Sequence, residues 1–249
     1  MKEILITGAS SGIGYASAIK AAKEGWKVIA CGRNQQRLDE LASQHENIRT
    51  LAFDITDERA CNVVLGQLSP DVVLLNAGTC EYVDVDDWQS AMFKRVFDAN
   101  FFSVIYCIGA LLPNLKPNSQ IVFVDSLARL LPFTRSQAYG ASKAALFYLA
   151  KTMEVDLKAK GLVVKTISPG FVKTPLTDKN TFDMPMSISA EEAAVSIIKI
   201  INGKHRTGYF PTVFALIIRT LSSLLPMSLQ VKLCNALAAS AANHKESRA

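Results

Sequence analysis

Short apolar runs alternate along the chain with longer stretches in which apolar positions recur every three or four residues. The short runs are residues 4–7, 28–31, 48–53, 72–75, 121–124 and 162–167. Runs so apolar throughout, without a polar alternate position, are expected of strands covered on both faces, and hence of a parallel sheet between helices. Residues 12–24, 35–44 and 58–68 carry helical periodicity, the first closed by Gly25, where a helix end often needs a left-handed residue. The repeating strand–helix–strand order predicts an α/β fold with a doubly wound parallel sheet. After about residue 175 the alternation fails. Residues 177–189 read as a loop, and Ser189 followed by Glu192 is the capping-box pattern that opens a helix over 190–201. A loop of this length beside the carboxyl edge of the sheet is a candidate substrate lid.

Composition narrows the field. A chain of 249 residues, 49% hydrophobic and 20% charged, has the apolar content for one large core and none of the signs of disorder. Residues 1–210 are expected to form the main domain, and 211–249 a helical extension of it. The net charge of +5 is spread along the chain rather than gathered into basic runs with aromatics, which argues against nucleic acid as a partner. Cys31, Cys61, Cys80, Cys107 and Cys234 form no CxxC pair, and His45, His205 and His244 lie far apart. The expectation is free thiols in a reducing compartment and no metal site. Ile4-Leu5-Ile6 is too short an apolar stretch for a signal peptide, so a cytoplasmic location is expected.

Two motifs carry chemistry. Thr7-Gly8-Ala9-Ser10-Ser11-Gly12-Ile13-Gly14 falls between the first strand and the first helix. Glycines there permit a sharp turn and close approach of a diphosphate, and the helix start offers unpaired N–H groups and a positive dipole end. Without a ligand the same sequence would be only a tight turn. Downstream, Tyr139 and Lys143 stand four apart on a predicted helix. That spacing puts phenol and ammonium on one face, where a positive charge favours the phenolate. A tuned tyrosine can donate a proton to a developing alkoxide, or accept one in the reverse reaction. The bland alternative is an exposed helical pair.

Together, and in this order, the motifs resemble the short-chain dehydrogenase/reductase family in its compact, Rossmann-like, single-domain form. The resemblance runs from residue 1 to about 210. The family's TGxxxGIG motif is intact at Thr7 to Gly14, its NNAG segment is Leu75-Asn76-Ala77-Gly78, and its helix asparagine is Asn100. Its catalytic serine matches Ser126, its YxxxK pair is Tyr139 and Lys143, and Pro169-Gly170-Phe171-Val172-Lys173-Thr174 resembles the PG motif beside the nicotinamide. The resemblance implies that Tyr139 transfers the proton, Ser126 holds the carbonyl, and Lys143 tunes Tyr139 while binding the nicotinamide ribose. It implies further that Asn100 holds a water linking Lys143 to solvent. Cofactor contacts are expected from Gly8, Ser10, Ser11, Gly12, Ile13, Gly14, Arg33, Asn34, Asp54, Ile55, Asn76, Ala77, Gly78, Tyr139, Lys143, Pro169, Gly170, Val172 and Thr174. Two positions depart from the commoner pattern. Leu75 replaces the first asparagine of NNAG and is expected only to extend a buried strand. Asp125 replaces a small polar residue before Ser126 and is expected to point away from it, as strand neighbours do.

The second strand ends Cys31-Gly32-Arg33-Asn34. By resemblance Gly32 occupies the position where NAD-preferring chains carry an acid, and Arg33 offers a 2′-phosphate a fork of donors. NADP(H) is therefore the expected cofactor, with NAD(H) the alternative. The expected function is hydride transfer between nicotinamide and a carbonyl or alcohol of a small molecule. A catalytically silent NADP(H)-binding regulatory or scaffold protein is the rival reading. Leu130, Leu131, Phe133, Phe171, Leu176, Phe182, Met184 and Met186 form an apolar set in the segments expected to build the pocket, which points to a bulky apolar substrate. The resemblance also implies a homodimer or homotetramer, with contacts around 87–112 and 137–160. In the extension, Val213, Leu216, Ile217, Thr220, Leu221 and Leu224 form one helical face, widened by Phe214, Ala215, Ile218 and Leu225. Leu229, Leu233 and Leu237 mark a second stripe. These helices are expected to cover their own domain or a subunit interface, or else to touch a membrane surface or lipid-like substrate peripherally.

Overall fold

The structure, a computed structural model, describes residues 1–178, 180 and 184–246, with side chains through 239. Seven strands form one parallel sheet: β1 (Glu3–Thr7), β2 (Lys27–Gly32), β3 (Ile48–Ala52), β4 (Val72–Leu75), β5 (Gln120–Val124), β6 (Val163–Pro169) and β7 (Thr207–Phe210). Their spatial order is β3-β2-β1-β4-β5-β6-β7. The order reverses between β1 and β4, so the chain leaves these two neighbouring strands toward opposite sides and opens a crevice at their carboxyl ends.

One face of the sheet is covered by α1 (Gly12–Lys23), α2 (Gln35–Ala42) and α7 (Ala190–Asn202), with Ile4, Ile6, Val28, Ala30, Val122 and Ile197 in a shared core. The other is covered by α3 (Glu58–Leu65), α5 (Ser103–Leu111) and α6 (Gln137–Leu157), around Leu5, Ile29, Phe123, Leu146 and Val164. A short α4 (Ser90–Phe97) runs into α5 through a wide π-helical turn, Asp98–Phe102. The central strands are buried on both sides, which is why their sequences lack alternation. Leu75 continues that pattern, 1% exposed at the end of β4.

The six strands read from sequence agree with the structure to within a residue or two at each end, but β7 was hidden. Its four residues, Thr-Gly-Tyr-Phe, bury only alternate side chains. Gly208 is required there, because a Cβ would lie 2.4 Å from Ile200 of the overlying α7. The capping box is present: Ser189 Oγ accepts from Glu192 N and Glu192 returns a bond to Ser189 N.

The extension is a helical hairpin, α8 (Thr212–Leu224) and α9 (Met227–Glu246). Its inward face differs from the one the periodicity singled out. Ala215 and Ile218 are buried with Leu127, Leu131 and Cys234, and Phe214, Leu221 and Tyr209 pack beside them. Val213, Leu216, Ile217 and Leu224 instead face outward, between 43% and 75% exposed. Among the described side chains of α9, Gln230 and Cys234 are buried, whereas Leu229 and Leu237 of the expected stripe are exposed. Gln230 Nε2 donates to the Ser222 and Leu225 carbonyls and ties the hairpin at its bend. The reason is geometric: α8 is apolar on so much of its circumference that its own sequence cannot say which side meets the domain.

Candidate active site

A cavity of about 620 Å³ lies at the carboxyl edge of the sheet, along the crevice between β1 and β4. The glycine turn is shaped by contact with the strand next door. Gly8 adopts φ +68°, and a Cβ on it would stand 2.8 Å from the Ala77 Cα, so only glycine turns here without strain. Thr7 fastens the two segments, its hydroxyl accepting from the Asn76 and Ala77 amides and its carbonyl from Asn76 Nδ2.

The start of α1 suits an anion. No side chain caps it and no acid occupies its first turn, and unlike the equally uncapped starts of α4, α6 and α8 it opens directly from the glycine turn that lines the cavity. Its first N–H groups are left for a ligand, beside the positive end of the helix dipole. At the end of β2, Arg33 is 75% exposed and its Nη1 lies 3.8 Å from Asp54, a surface pair that binds the guanidinium only weakly. Asp54 also accepts from the Thr56 amide and hydroxyl at 2.9 and 2.8 Å. Burial pushes its carboxyl up, but the Thr56 bonds and Arg33 outweigh it and hold Asp54 below the usual carboxylate value.

Every residue expected at the cofactor lines this cavity except Gly14. Gly14 lies beneath the turn, where a Cβ would meet the Gly8 carbonyl oxygen at 2.3 Å. Asn34 lines the cavity, but its side-chain oxygen is occupied by the Arg37 amide. Gly32, Phe53, Thr56, Thr79, Pro175, Leu176 and Thr177 line it too. Of these, Thr177 had the least sequence signal. Its hydroxyl donates to the Val172 carbonyl and accepts from Thr174 N, fastening the base of the loop, and the bridge between Val172 and Ile188 closes that loop at its root.

Ser126, Tyr139 and Lys143 meet at the far end of the cavity. Ser126 begins a short 3-10 turn, its Oγ accepting from Ala128 N at 3.1 Å, so it caps a turn as well as facing the cleft. Tyr139 and Lys143 project from the first two turns of α6, and Lys143 Nζ donates to the Val124 carbonyl at 2.9 Å. Burial lowers Lys143 to about 8, against the opposing charges of Asp125 and Cys80. Burial also raises Tyr139 above its ordinary value, with Cys80 and Asp125 adding to it and Ser126 opposing. The expectation from spacing was a lowered tyrosine. Here the ammonium lies 5.9 Å from the ring, and burial is the largest cause of the upward shift.

Asn100 does not line the cavity. Wholly buried in the π-helical turn, it accepts from Thr79 N at 2.7 Å and donates to the Thr79 carbonyl and Ser142 Oγ, both at 2.9 Å. Gly78 passes between it and Lys143, for a Cβ there would stand 2.8 Å from Asn100 Oδ1 and 3.4 Å from Lys143 Nζ. Asp125 turns toward Arg129, whose Nε is 3.3 Å away without the alignment of a hydrogen bond; the two side chains are 0% and 8% exposed. Arg129 in turn stacks on Phe147, 3.4 Å from the ring centre. Burial raises Asp125 to about 6 despite Arg129, and its charge still reaches Lys143 and Tyr139.

A family model described as short chain dehydrogenase matches residues 2–184. The chain belongs to the short-chain dehydrogenase/reductase family. It is an oxidoreductase of that family. The serine 3-dehydrogenase of Agrobacterium fabrum is 36% identical over 187 residues, which are 70% of this chain and 73% of that protein. The 3beta-hydroxysteroid dehydrogenase of Mediterraneibacter gnavus is 34% identical over 202 residues, 74% of this chain and 70% of that one. Among solved structures, a short-chain dehydrogenase from Streptomyces avermitilis superposes with a TM-score of 0.80 at 23% identity, covering 96% of this chain and 97% of that one. The fold therefore extends to nearly the whole oxidoreductase, hairpin included, although the family match ends at residue 184.

The apolar pocket set divides. Leu176 lines the cavity. Leu131 is 5% exposed in the core beneath α8, with Leu130 and Phe133 beside it. Phe171 stacks on Phe214, their ring centres 5.4 Å apart. Met184 accepts from Asn180 Nδ2, and Met186 is 51% exposed. Phe182 lies outside the described residues.

Proposed function

We propose that this oxidoreductase is NADP(H)-dependent and transfers hydride between the nicotinamide and the carbonyl or alcohol carbon of a bulky apolar small molecule. The observation that carries the reading is the meeting of Ser126, Tyr139 and Lys143 in one cavity with the uncapped start of α1. The nicotinamide supplies or accepts the hydride when bound. Ser126 Oγ holds the substrate oxygen, and Tyr139, kept as a neutral phenol by burial, donates its proton to that oxygen as alkoxide character develops. Lys143 holds the ribose and offers its charge to the tyrosinate left behind. Asn100 keeps the π-helical turn and the Thr79 backbone in register beside Lys143, the place where the family resemblance puts a linking water. A silent binding protein would have no use for three such groups in one cavity.

Gly32 and Arg33 support NADP(H): no acid stands at the end of β2, and the exposed guanidinium can pair with a 2′-phosphate. The apolar substrate class is supported by Leu176 in the cavity lining, and by Phe214, which stacks on Phe171 and packs beside Gly170 of that lining. Self-association through α4–α5 and α6 is supported by Phe102, Tyr148 and Val155, which are 41%, 73% and 74% exposed, and light scattering tests it. The deciding experiment follows NADPH and NADH consumption across steroid, fatty, aromatic and sugar carbonyls, with Arg33→Ala alongside. Apolar ketones turned over with NADPH are expected, and Arg33→Ala is expected to raise the KM for NADPH about tenfold or more while sparing NADH. Equal effects on the two cofactors, or activity confined to small charged carbonyls, would refute the corresponding half of the proposal.

A further inference from the structure

Two properties of the α8–α9 hairpin coincide. The first is apolar exposure. Val213, Leu216, Ile217 and Leu224 form one outward face of α8, and Met227 and Leu229 at the start of α9 are 64% and 44% exposed. The opposite face, Phe214, Ala215 and Ile218, is already spent on the domain, so the exposed side chains have no place left in the core. The second is charge. From residue 193 to 245 the sequence contains no aspartate or glutamate, while Arg219 on α8 and Lys232 on α9 stand exposed.

We propose that α8 and the start of α9 lie flat on an anionic phospholipid bilayer. An aliphatic face flanked by cations and free of acids is what such a surface binds, through acyl-chain burial and headgroup attraction. The face contains no exposed aromatic residue, whereas protein partners are anchored chiefly by Trp, Tyr and Arg with Leu and Val under-represented. A second copy meeting the same face would bring Arg219 and Lys232 against their own kind with no acid to receive them. At 13 residues α8 is about 20 Å long and carries Arg219, too short to span and suited to lie in the interface.

The other side of the same helix packs against a residue of the active-site lining, Gly170. Phe214 stacks on Phe171, and a Cβ on Gly170 would lie 2.8 Å from its ring. Docking would therefore hold the cleft at the lipid surface, where an apolar carbonyl compound is concentrated. That consequence rests on the hydride-transfer reading; the docking itself does not.

The test is sedimentation of the full chain with vesicles of phosphatidylcholine alone and of phosphatidylcholine mixed with phosphatidylglycerol. Binding to the mixed vesicles that weakens as salt is raised is expected. Leu216→Gln combined with Ile217→Gln should weaken partitioning about tenfold or more, and Lys232→Gln about fivefold, each with NADPH affinity unchanged. Leu224→Gln, at a position 75% exposed, serves as a second apolar variant should the double one fail to fold. Absence of wild-type sedimentation, equal binding to both vesicle types, or variants that bind as the wild type does would each overturn the proposal. So would a fall in oligomeric mass of the double variant without lipid, which would assign the face to a second copy. Tyr139→Phe is expected to sediment normally, so failure of docking and failure of the catalytic reading are distinguishable.

Discussion

Along one half of the cleft, the turn after β1 and the segments after β2 and β4 present backbone: Gly8 against Ala77, the bare N–H groups of α1, the Thr7 clasp on Asn76. The other half, around Ser126, is lined by side chains from elements far apart in sequence, Tyr139 and Lys143 from α6 and Leu176 and Thr177 from the loop after β6, with Phe214 packed beside Gly170 of the lining. A backbone site tolerates little change, because its residues are needed for turn geometry and close approach rather than for bulk. A side-chain wall can be refilled, since apolar residues of similar volume exchange at modest cost. The first half therefore fits a common diphosphate, and the second is where one oxidoreductase of this fold can differ from another.

The largest effect expected is chemical. Tyr139→Phe keeps the ring and its packing but removes the proton, and should lower kcat by about two to four orders of magnitude with NADPH binding preserved. A variant that kept full turnover would move the acid elsewhere and erase the distinction between a binding half and a reacting half.

Next comes the buried pair behind Ser126. Arg129→Met leaves Asp125 buried and alone, which should cost about 3–5 kcal/mol of stability, read as a lower urea midpoint. Replacing both, as Asp125→Asn with Arg129→Met, should recover most of the loss. The pair also predicts a pH dependence. Asp125 is raised from 3.8 to about 6, so the folded chain keeps this proton over a range in which the unfolded chain has released it. Its contribution to stability is complete below the lower value and is lost as pH rises through the higher one. Unfolding at a series of pH values should show this slope in the wild type and a flatter profile in Asp125→Asn.

The two faces of α8 provide a sharper contrast. Ile218→Ala, on the inward face, should cost about 2–4 kcal/mol. Leu216→Ser, 62% exposed on the outward face, should change stability by no more than about 0.5 kcal/mol in the absence of lipid. Equal losses at the two positions would mean that the outward face is covered in solution.

Sheet, motif order and most of the cavity lining were legible from the chain alone. Doubly buried strands must be apolar throughout, and a diphosphate turn needs glycines at fixed intervals, so these demands are written locally. The capping box at Ser189 and the end of β4 at Leu75 were legible for the same reason. The gathering of Ser126 with Tyr139 and Lys143 followed from resemblance, and tertiary structure supplied its electrostatics: burial raises Tyr139 and lowers Lys143, against what helical spacing by itself implied. It also decided that Gly14 and Asn100 stand behind the cavity rather than on its surface, that Asp125 is held by Arg129, and that Thr-Gly-Tyr-Phe adds a seventh strand. The choice of inward face on α8 belongs with these. A helix apolar on most of its circumference carries the same periodicity whichever side meets the domain, and the surface already formed by Leu127, Leu131 and Tyr209 selects the side that is buried.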